Sequence, residues 1–238
     1  MKIAIMQPTY LPWSGYFNLI AVTGQFVFLD DVQFSVRSWQ QRNRILVNGQ
    51  PCTLTIPVLT HGRGPQRICD VHIDPRQHWK KKHIGTLRQA YARHPFGREV
   101  ADLVESVLAV DRALLMDINM DLVRAICGVL GLQPQFHRSS EAGVCGSRSE
   151  RLVNLCRRYG ADTYLSPLGS KAYIEKDGVF ASSEIKLQYQ SFLCPPYPQR
   201  GTTQFVSHMS IVDLLSNVGF AEGRKYVEQS FCDPRARS

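Results

Sequence analysis

Carboxylates and side-chain amides that could carry out proton transfer are concentrated near the start of the chain. Gln7 lies in a proline-containing loop, and the adjacent carboxylates Asp30 and Asp31 follow a short apolar run. A carboxylate can accept a proton from an amine or a hydroxyl group, while amides orient the reacting groups. We predict that Asp30 or Asp31 is a general base. The alternative is that both carboxylates pair with Arg37 and Arg44 and only hold the loop.

A dense group of planar donors follows at residues 37–44. It contains three arginines, three side-chain amides and one indole within eight residues. Guanidinium groups bind carboxylates or phosphates bidentately, and an indole packs against flat ligands. We therefore expect an anion or a sugar to bind here, with a solvated basic loop as the alternative. The predicted ligand-binding residues of these two stretches are Gln7, Tyr10, Trp13, Gln33, Arg37, Trp39, Asn43 and Arg44.

These residues need a scaffold that brings the two stretches together. Lys2 to Met6 has the length and composition of a buried strand, Gly15 to Val22 is predicted to be a helix, and Phe26 to Leu29 is a second strand. A right-handed crossover makes such strands parallel neighbours, and ligands of parallel sheets lie at the carboxyl ends of the strands. Gln7 to Trp13 and Asp30 to Gln33 would then meet at one edge of a pocket.

The pattern of strands and helices continues downstream. Asn48-Gly49 predicts a hairpin turn between Ile45 and a strand from Thr53 to Val58. Apolar residues recur at helical spacing through most of residues 77–131. Ser147 to Arg158 is predicted to be a helix that opens with a capping box, because Glu150 follows Ser147 at the required spacing.

A second strand, loop and helix unit is predicted from residue 162 onward. Its loop of small residues could present backbone amides to an anion, so Ser166 and Ser170 join the predicted ligand-binding residues. The loop lacks the full P-loop pattern, which excludes that motif. Ile185 to Gln190 alternates like a half-buried strand. A last helix is predicted to begin at Ser210 and to end at Gly219.

Together these elements predict an α/β fold in one domain over residues 1–238. Its mainly parallel sheet is flanked by helices and has a Rossmann-like or nucleotidyltransferase-like opening, with a helical subdomain at residues 77–131. The opening lacks the histidine pair of the nucleotidyltransferases, so their adenylyl-transfer chemistry is not supported. The last residues, Cys232 to Ser238, are predicted to be frayed.

Composition indicates the class of protein and its partners. The chain has 238 residues, 44% of them hydrophobic, and a formal net charge of +8. The positive charge suits an anionic partner such as a nucleotide, an acyl carrier or aminoacyl-tRNA. Seven scattered cysteines without a CxxC pair are typical of a reduced protein, and no apolar run reaches the ~18 residues of a membrane span. We therefore expect a cytoplasmic location.

Other catalytic and metal sites find less support in the sequence. There is no GxSxG or HExxH motif, and His78 and His83 lie five residues apart, which is not the spacing of two ligands on one helix face. The paired carboxylates Asp30 and Asp31 suit a divalent cation, but no third ligand accompanies them, so no metal is assigned. Cys145 is the cysteine expected to be exposed. The residues indicate neither a cofactor nor an oligomeric state.

Three long motifs resemble a known family when they are taken together and in order. They are QPTYLPWSGYF, FLDDVQFSVRSWQQRNRI and YPQRGTTQFVSHMSIVDLLSNVG. The chain resembles the WbqC-like family of bacterial proteins over nearly its whole length. It departs from the family pattern at Val36, where a basic residue is expected, at Gln41, where Asn is expected, and at Pro167, where Gly is expected.

The resemblance implies a biosynthetic role. Members of the family are met in gene neighbourhoods for O-antigen, flagellin-glycan and related natural-product biosynthesis, and a transferase role is presumed for them. It also implies that the loop with Tyr197 and Gln199 faces the ligand pocket. The expected function is transfer of an acyl or aminoacyl group onto an amino group of a sugar or small molecule. The alternatives are an ATP-dependent ligase and a non-catalytic sugar- or nucleotide-binding protein.

Overall fold

The computed structural model describes residues 1–229, so the prediction for Cys232 to Ser238 lies outside the described residues. The strands are β1 (Lys2–Met6), β2 (Gln25–Phe28), β3 (Arg42–Val47), β4 (Gln50–Thr55), β5 (Gln135–Arg138), β6 (Thr163–Ser166) and β7 (Lys186–Tyr189). The helices are α1 (Ser14–Ala21), α2 (Trp79–Tyr91), α3 (Gly97–Leu108), α4 (Leu115–Val129), α5 (Arg148–Arg158), α6 (Lys171–Asp177) and α7 (Ile211–Glu228).

Five strands form one parallel sheet in the order β5-β2-β1-β6-β7. β2 pairs with β1 along its whole length, from Gln25 opposite Ile3 to Phe28 opposite Met6. The predicted crossover through α1 is therefore confirmed, and the sheet flanked by helices confirms the predicted α/β fold. The strand order reverses between β1 and β6, because the chain leaves β1 toward β2 on one side and later adds β6 on the other.

The two faces of the sheet carry separate apolar clusters. Ala4 of β1 packs on one face with α1, the hairpin and helices α2, α3, α4 and α7. Ile3 and Ile5 point to the opposite face and pack with α5 and α6. This alternation is the two-residue period of a strand, and it explains why β1 reads as a continuous apolar run. Within residues 1–229, no helix combines the length and apolar character needed to cross a bilayer.

Strands β3 and β4 form the predicted antiparallel hairpin. Asn48 and Gly49 have φ values of 51° and 75°. Two central residues with positive φ are what a type I′ turn requires, which is why the Asn-Gly pair identified the hairpin. The hairpin is separate from the parallel sheet and lies against the loop after β1, where Nδ2 of Asn43 in β3 donates to the carbonyls of Tyr10 and Leu11.

One predicted helix cap and one predicted helix end differ from the structure. The hydroxyl of Ser147 makes no capping hydrogen bond to α5, so the predicted capping box does not form. Ser210 does cap α7 by accepting from the amide of Val212, but the helix does not end at Gly219. Gly219 interrupts the helix with a φ of 78°, and the chain then resumes helical geometry to Glu228. A Cβ at Gly219 would lie 2.9 Å from the ring of Phe96, so close packing also favours glycine there.

Candidate functional site

A cleft opens at the carboxyl edge of the sheet, where the strand order reverses. Its first compartment has a volume of about 360 Å³ and is lined by Gln7, which directly follows β1, and by Pro167, which directly follows β6. Open parallel sheets bind their ligands at this reversal. Other polar or aromatic residues that line the first compartment are Thr9, Ser38, Trp39, Gln40, Tyr164, Ser170 and Tyr173.

A second compartment of about 400 Å³ adjoins the first. The two compartments share Met6, Thr9 and Trp39 in their walls, so they meet at the loop after β1. The remaining residues of the second compartment are Trp13, Tyr16, Asn43, Arg44 and His208. The cleft can therefore hold two molecules, or two parts of one molecule, whose near ends meet beside Thr9 and Trp39.

A chain of hydrogen bonds fixes the amide of Gln7 at the wall of the first compartment. The amide of Ser35 donates to Oε1 of Gln40 over 3.1 Å, so the Nε2 group of Gln40 is the end that donates. It donates to Oε1 of Gln7 over 2.9 Å. The Nε2 group of Gln7 makes no hydrogen bond to any residue from 1 to 229. Two N–H donors of Gln7 are therefore available to a ligand.

Trp39 and Arg44 lie together between the compartments. The Trp39 side chain is 50% exposed, and Cζ of Arg44 lies 5.5 Å from the centroid of the indole. Nε of Arg44 is shielded from solvent and has no hydrogen-bond partner among the described residues. A buried donor without a partner is costly and calls for an explanation. The structure thus brings Gln7, Trp39 and Arg44, three of the predicted binding residues, to one cleft.

Aromatic side chains form part of the wall of the second compartment. The ring centroids of Trp13 and His208 lie 4.6 Å apart, and Nδ1 of His208 lies 2.9 Å from Oγ of Ser207. The Trp13 indole crosses the first turn of α1 so closely that a Cβ at Gly15 would overlap it. Glycine at this position is therefore required by the close approach of Trp13.

Asp30 and Asp31, the predicted general bases, line neither compartment. Asp30 is fully buried, and its carboxylate accepts hydrogen bonds from Nε of Arg138 at 2.9 Å, from the hydroxyls of Ser139 and Ser140, and from the amide of Ser140. Asp31 accepts from Ser139 at 2.6 Å and pairs with Arg151. The carboxylates thus pair with arginines, as in the structural alternative, but the partners are Arg138 and Arg151 and not the predicted Arg37 and Arg44. The role of the carboxylates as bases stays a prediction.

Two other predicted binding residues are buried beside each other: Tyr10 in the loop after β1 and Asn43 in β3. Tyr10 is fully buried, with its hydroxyl 2.9 Å from Nδ1 of His83. The Nδ2 group of Asn43 donates to the carbonyls of Tyr10 and Leu11 at 3.0 and 2.9 Å. These side chains fix the path of the loop, and through it the position of its neighbours in the cleft.

The remaining predicted residues lie in three different environments. Ser170 lines the first compartment, whereas Ser166 is fully buried and its hydroxyl bonds the carbonyl of Pro167 at 3.3 Å. Gln33 and Arg37 are exposed and line neither compartment.

Tyr197 and Gln199 converge on a buried carboxylate outside the cleft. The Tyr197 hydroxyl donates to Asp213 over 2.6 Å, and Nε2 of Gln199 donates to the same carboxylate over 2.9 Å. Burial, followed by the charge of Asp213, raises the pKa of Tyr197 far above its usual range, which keeps it a hydrogen-bond donor. Both side chains anchor the segment before α7, which carries His208.

Several cleft residues were absent from the sequence-based prediction. Gln40 stands in the dense run at residues 37–44, but its sequence position does not reveal that it orients Gln7. His208 lies in the third family-like motif and is carried to the cleft by an antiparallel bridge between Trp13 and Ser210. Among residues 1–229, no three His, Cys, Asp or Glu side chains lie close enough together to hold a metal ion.

Comparisons with known proteins agree with the motifs. The profile of the WbqC-like protein family matches residues 7–225. An uncharacterized protein of Mycobacterium tuberculosis is 33% identical over 227 residues, which cover 95% of this chain and 97% of that protein. No solved structure matches the chain significantly. The segment that the family profile matches contains every lining residue of both compartments except Ile5 and Met6, and the chain belongs to the WbqC-like protein family.

Proposed function

We propose that this protein is a bacterial, cytoplasmic transferase of surface-glycan or related natural-product biosynthesis. It moves an acyl or aminoacyl group onto an amino group of a sugar or another small molecule. Membership in the WbqC-like family supports the biosynthetic setting. The observation that carries the reaction type is the cleft of two compartments that meet beside Thr9 and Trp39, because a transferase must hold a donor and an acceptor with their reacting ends in contact.

The side chains of the cleft suit acyl transfer. The acceptor nitrogen attacks the acyl carbon, a C–N bond forms, and the bond from that carbon to the leaving group breaks. The Nε2 donors of Gln7, held by Gln40, stabilise the negative charge that develops on the acyl oxygen. His208, which lines the second compartment, takes the proton that the amine loses.

The first test is a thermal-shift screen against acyl-coenzyme A, nucleotide-linked amino sugars, ATP and bulk tRNA. A ligand at a hundred times its dissociation constant adds about 2.7 kcal/mol to the free energy of unfolding, which a thermal shift detects. The donor and acceptor that shift the protein are then incubated together, and the acylated product is measured by mass spectrometry.

Matched glutamine variants then test the site. Gln7→Leu is expected to lower kcat by roughly 10²–10³-fold, the usual loss when one oxyanion donor is removed. Gln89→Leu, which changes an exposed glutamine of α2, is expected to keep full activity. Turnover that survives Gln7→Leu would reject the assigned role. Binding of a single ligand without turnover of any pair would favour the non-catalytic binding protein.

A nucleotide-dependent ligase is the second candidate. The observation in its favour is the position of the first compartment, since nucleotides bind open parallel sheets at the reversal of strand order. Release of pyrophosphate from ATP during product formation would assign the ligase. Product formation from a preformed acyl donor without ATP would assign the transferase.

A further inference from the structure

We propose that the second compartment is an oxyanion subsite, in which Arg44 binds the carboxylate or phosphate of a small substrate with a planar or apolar body. The inference rests on the proposed function and deepens it, because it states the chemical class of one of the two substrates. It follows from the partners of Arg44, from the charge of the compartment wall and from its aromatic lining.

The guanidinium of Arg44 has unused donors. It makes no ion pair with residues 1–229, and its Nε is both shielded from solvent and without a hydrogen-bond partner. Other interior-facing arginines near the sheet edge are neutralised, as Arg138 is by Asp30 and Arg151 by Asp31. An arginine fork matches a carboxylate or a phosphate through two parallel hydrogen bonds, and the terminal Nη1 and Nη2 of Arg44, which make no hydrogen bond to residues 1–229, are the donors that an oxyanion can reach.

The wall around Arg44 favours negative charge. No carboxylate belongs to the described residues that line the second compartment. The first turn of α1 contributes Trp13 and Tyr16 to that wall, has no acidic residue and has no side-chain cap. The amino end of a helix carries partial positive charge. Arg44 and the start of α1 therefore both place positive charge at the compartment.

The lining also specifies the rest of the ligand. Trp39 lies beside the Arg44 guanidinium, and the rings of Trp13 and His208, tilted by 34° with their centroids 4.6 Å apart, line the same compartment. Aromatic faces bind planar and apolar groups. A ligand that fits this wall has an oxyanion at one end and a flat or apolar body next to it, within a volume of about 400 Å³.

The test uses three small probes that share one ring and differ in charge: benzoate, phenyl phosphate and benzyl alcohol. Binding to the purified full-length protein is measured by titration calorimetry. We expect at least one oxyanion probe to bind about tenfold or more tightly than benzyl alcohol, the usual gain from a hydrogen bond to a charged group. Benzoate alone would assign a carboxylate, phenyl phosphate alone a phosphate, and both the shared chemistry.

Variants at Arg44 then locate the binding. Arg44→Gln is expected to weaken the oxyanion probes about tenfold or more and to leave benzyl alcohol unchanged, while Arg44→Lys retains part of the affinity. Arg93→Gln, which changes an exposed arginine after α2, is the matched control and is expected to bind like the parent protein. Thermal melting of each variant verifies that it is folded.

Tryptophan fluorescence provides a second readout. Of the three tryptophans, Trp13 and Trp39 line the second compartment and Trp79 does not. In a Trp79→Phe background, the oxyanion probes are expected to change the emission, and Arg44→Gln to remove the change. Equal binding of benzyl alcohol, no binding of any probe, or binding untouched by Arg44→Gln would overturn the inference.

The measurement separates this inference from the proposed function, since it needs no turnover. Binding that depends on Arg44, in a protein that transfers no group, would reject the transferase and keep the subsite. Transfer that requires Gln7, with probe binding that ignores Arg44, would reject the subsite and keep the transferase.

Discussion

The carboxyl edge of the sheet carries two polar clusters that differ in how fully their hydrogen bonds are used. Around Asp30, at the end of β2, arginine, serine and backbone donors all converge on one buried carboxylate. Around Trp39, beside the end of β1, the Nε2 donors of Gln7 and the Nε of Arg44 have no partner among residues 1–229. Both clusters contain an arginine, but the arginine of the first is paired with a carboxylate and that of the second is not.

This difference teaches that unused hydrogen-bonding capacity, more than charge, marks the candidate site. A carboxylate with four donors and no exposure has its oxygens engaged in hydrogen bonds and is shielded from any substrate. A half-buried guanidinium beside an exposed indole has the opposite properties. The comparison predicts that changes in the Asp30 cluster act on stability, whereas changes in the Trp39 cluster act on ligand binding.

The largest expected effect is that of Asp30→Asn. The change leaves Arg138 without its buried carboxylate and places an amide among groups that donate. Breaking a buried ion pair costs about 3–5 kcal/mol. We expect about 3 kcal/mol, because the Arg138 side chain is 24% exposed and can regain water. Urea denaturation measures the loss. A stable Asp30→Asn protein that has lost only turnover would break the comparison and support the predicted general base.

A second prediction concerns His83, whose Nδ1 lies 2.9 Å from the hydroxyl of Tyr10 in the loop after β1. Burial lowers the pKa of His83 to about 4, against an ordinary value near 6.5. The unfolded state therefore binds more protons between these values, so stability is complete above pH 6.5 and falls as the pH drops toward 4. The expected loss attributable to His83 is about 2 kcal/mol between pH 7.5 and pH 5.

The control for His83 is His83→Gln, which can still accept from the Tyr10 hydroxyl but does not titrate. Urea denaturation of both proteins at several pH values isolates the contribution of the imidazole from that of other groups. The difference in unfolding free energy between parent and variant should shrink as the pH falls from 7.5 to 5. A difference that stays constant would show that folding does not lower the pKa of His83.

Local sequence patterns predicted much of the fold. The apolar run of β1, the Asn-Gly turn of the hairpin and the cap at Ser210 each depend on neighbours within a few residues. The end of α7 was wrong because Gly219 is a kink, and helical geometry resumes on the other side of it. A glycine that kinks a helix and a glycine that ends a helix occur in the same sequence pattern. Only the packing around the glycine distinguishes the two outcomes.

The location of the site could be predicted from the sequence, but the residues that line it could not. Parallel strands bring the loop after β1 to the sheet edge, and this follows from the crossover alone. The partners of Asp31 lie 108 and 120 residues away in the chain, so no spacing could reveal that its carboxylate is occupied. His208 enters the cleft on a segment without secondary structure, which has no periodicity to read.

The smallest expected effect on stability is that of Trp39→Ala, and it sharpens the comparison with Asp30→Asn. The indole is half exposed, and its contact with Arg44 is worth about 0.5–1 kcal/mol at an exposed site. The backbone carbonyl of residue 39 still accepts from the amide of Tyr10, because the substitution leaves the backbone unchanged. Urea denaturation should therefore give a loss below about 1 kcal/mol, while calorimetry shows benzoate or phenyl phosphate binding roughly three- to tenfold more weakly. Suppose instead that Trp39→Ala destabilised the fold as much as Asp30→Asn does and still bound the probes. The Trp39 cluster would then be part of the structural support, and the distinction between the two clusters would fail.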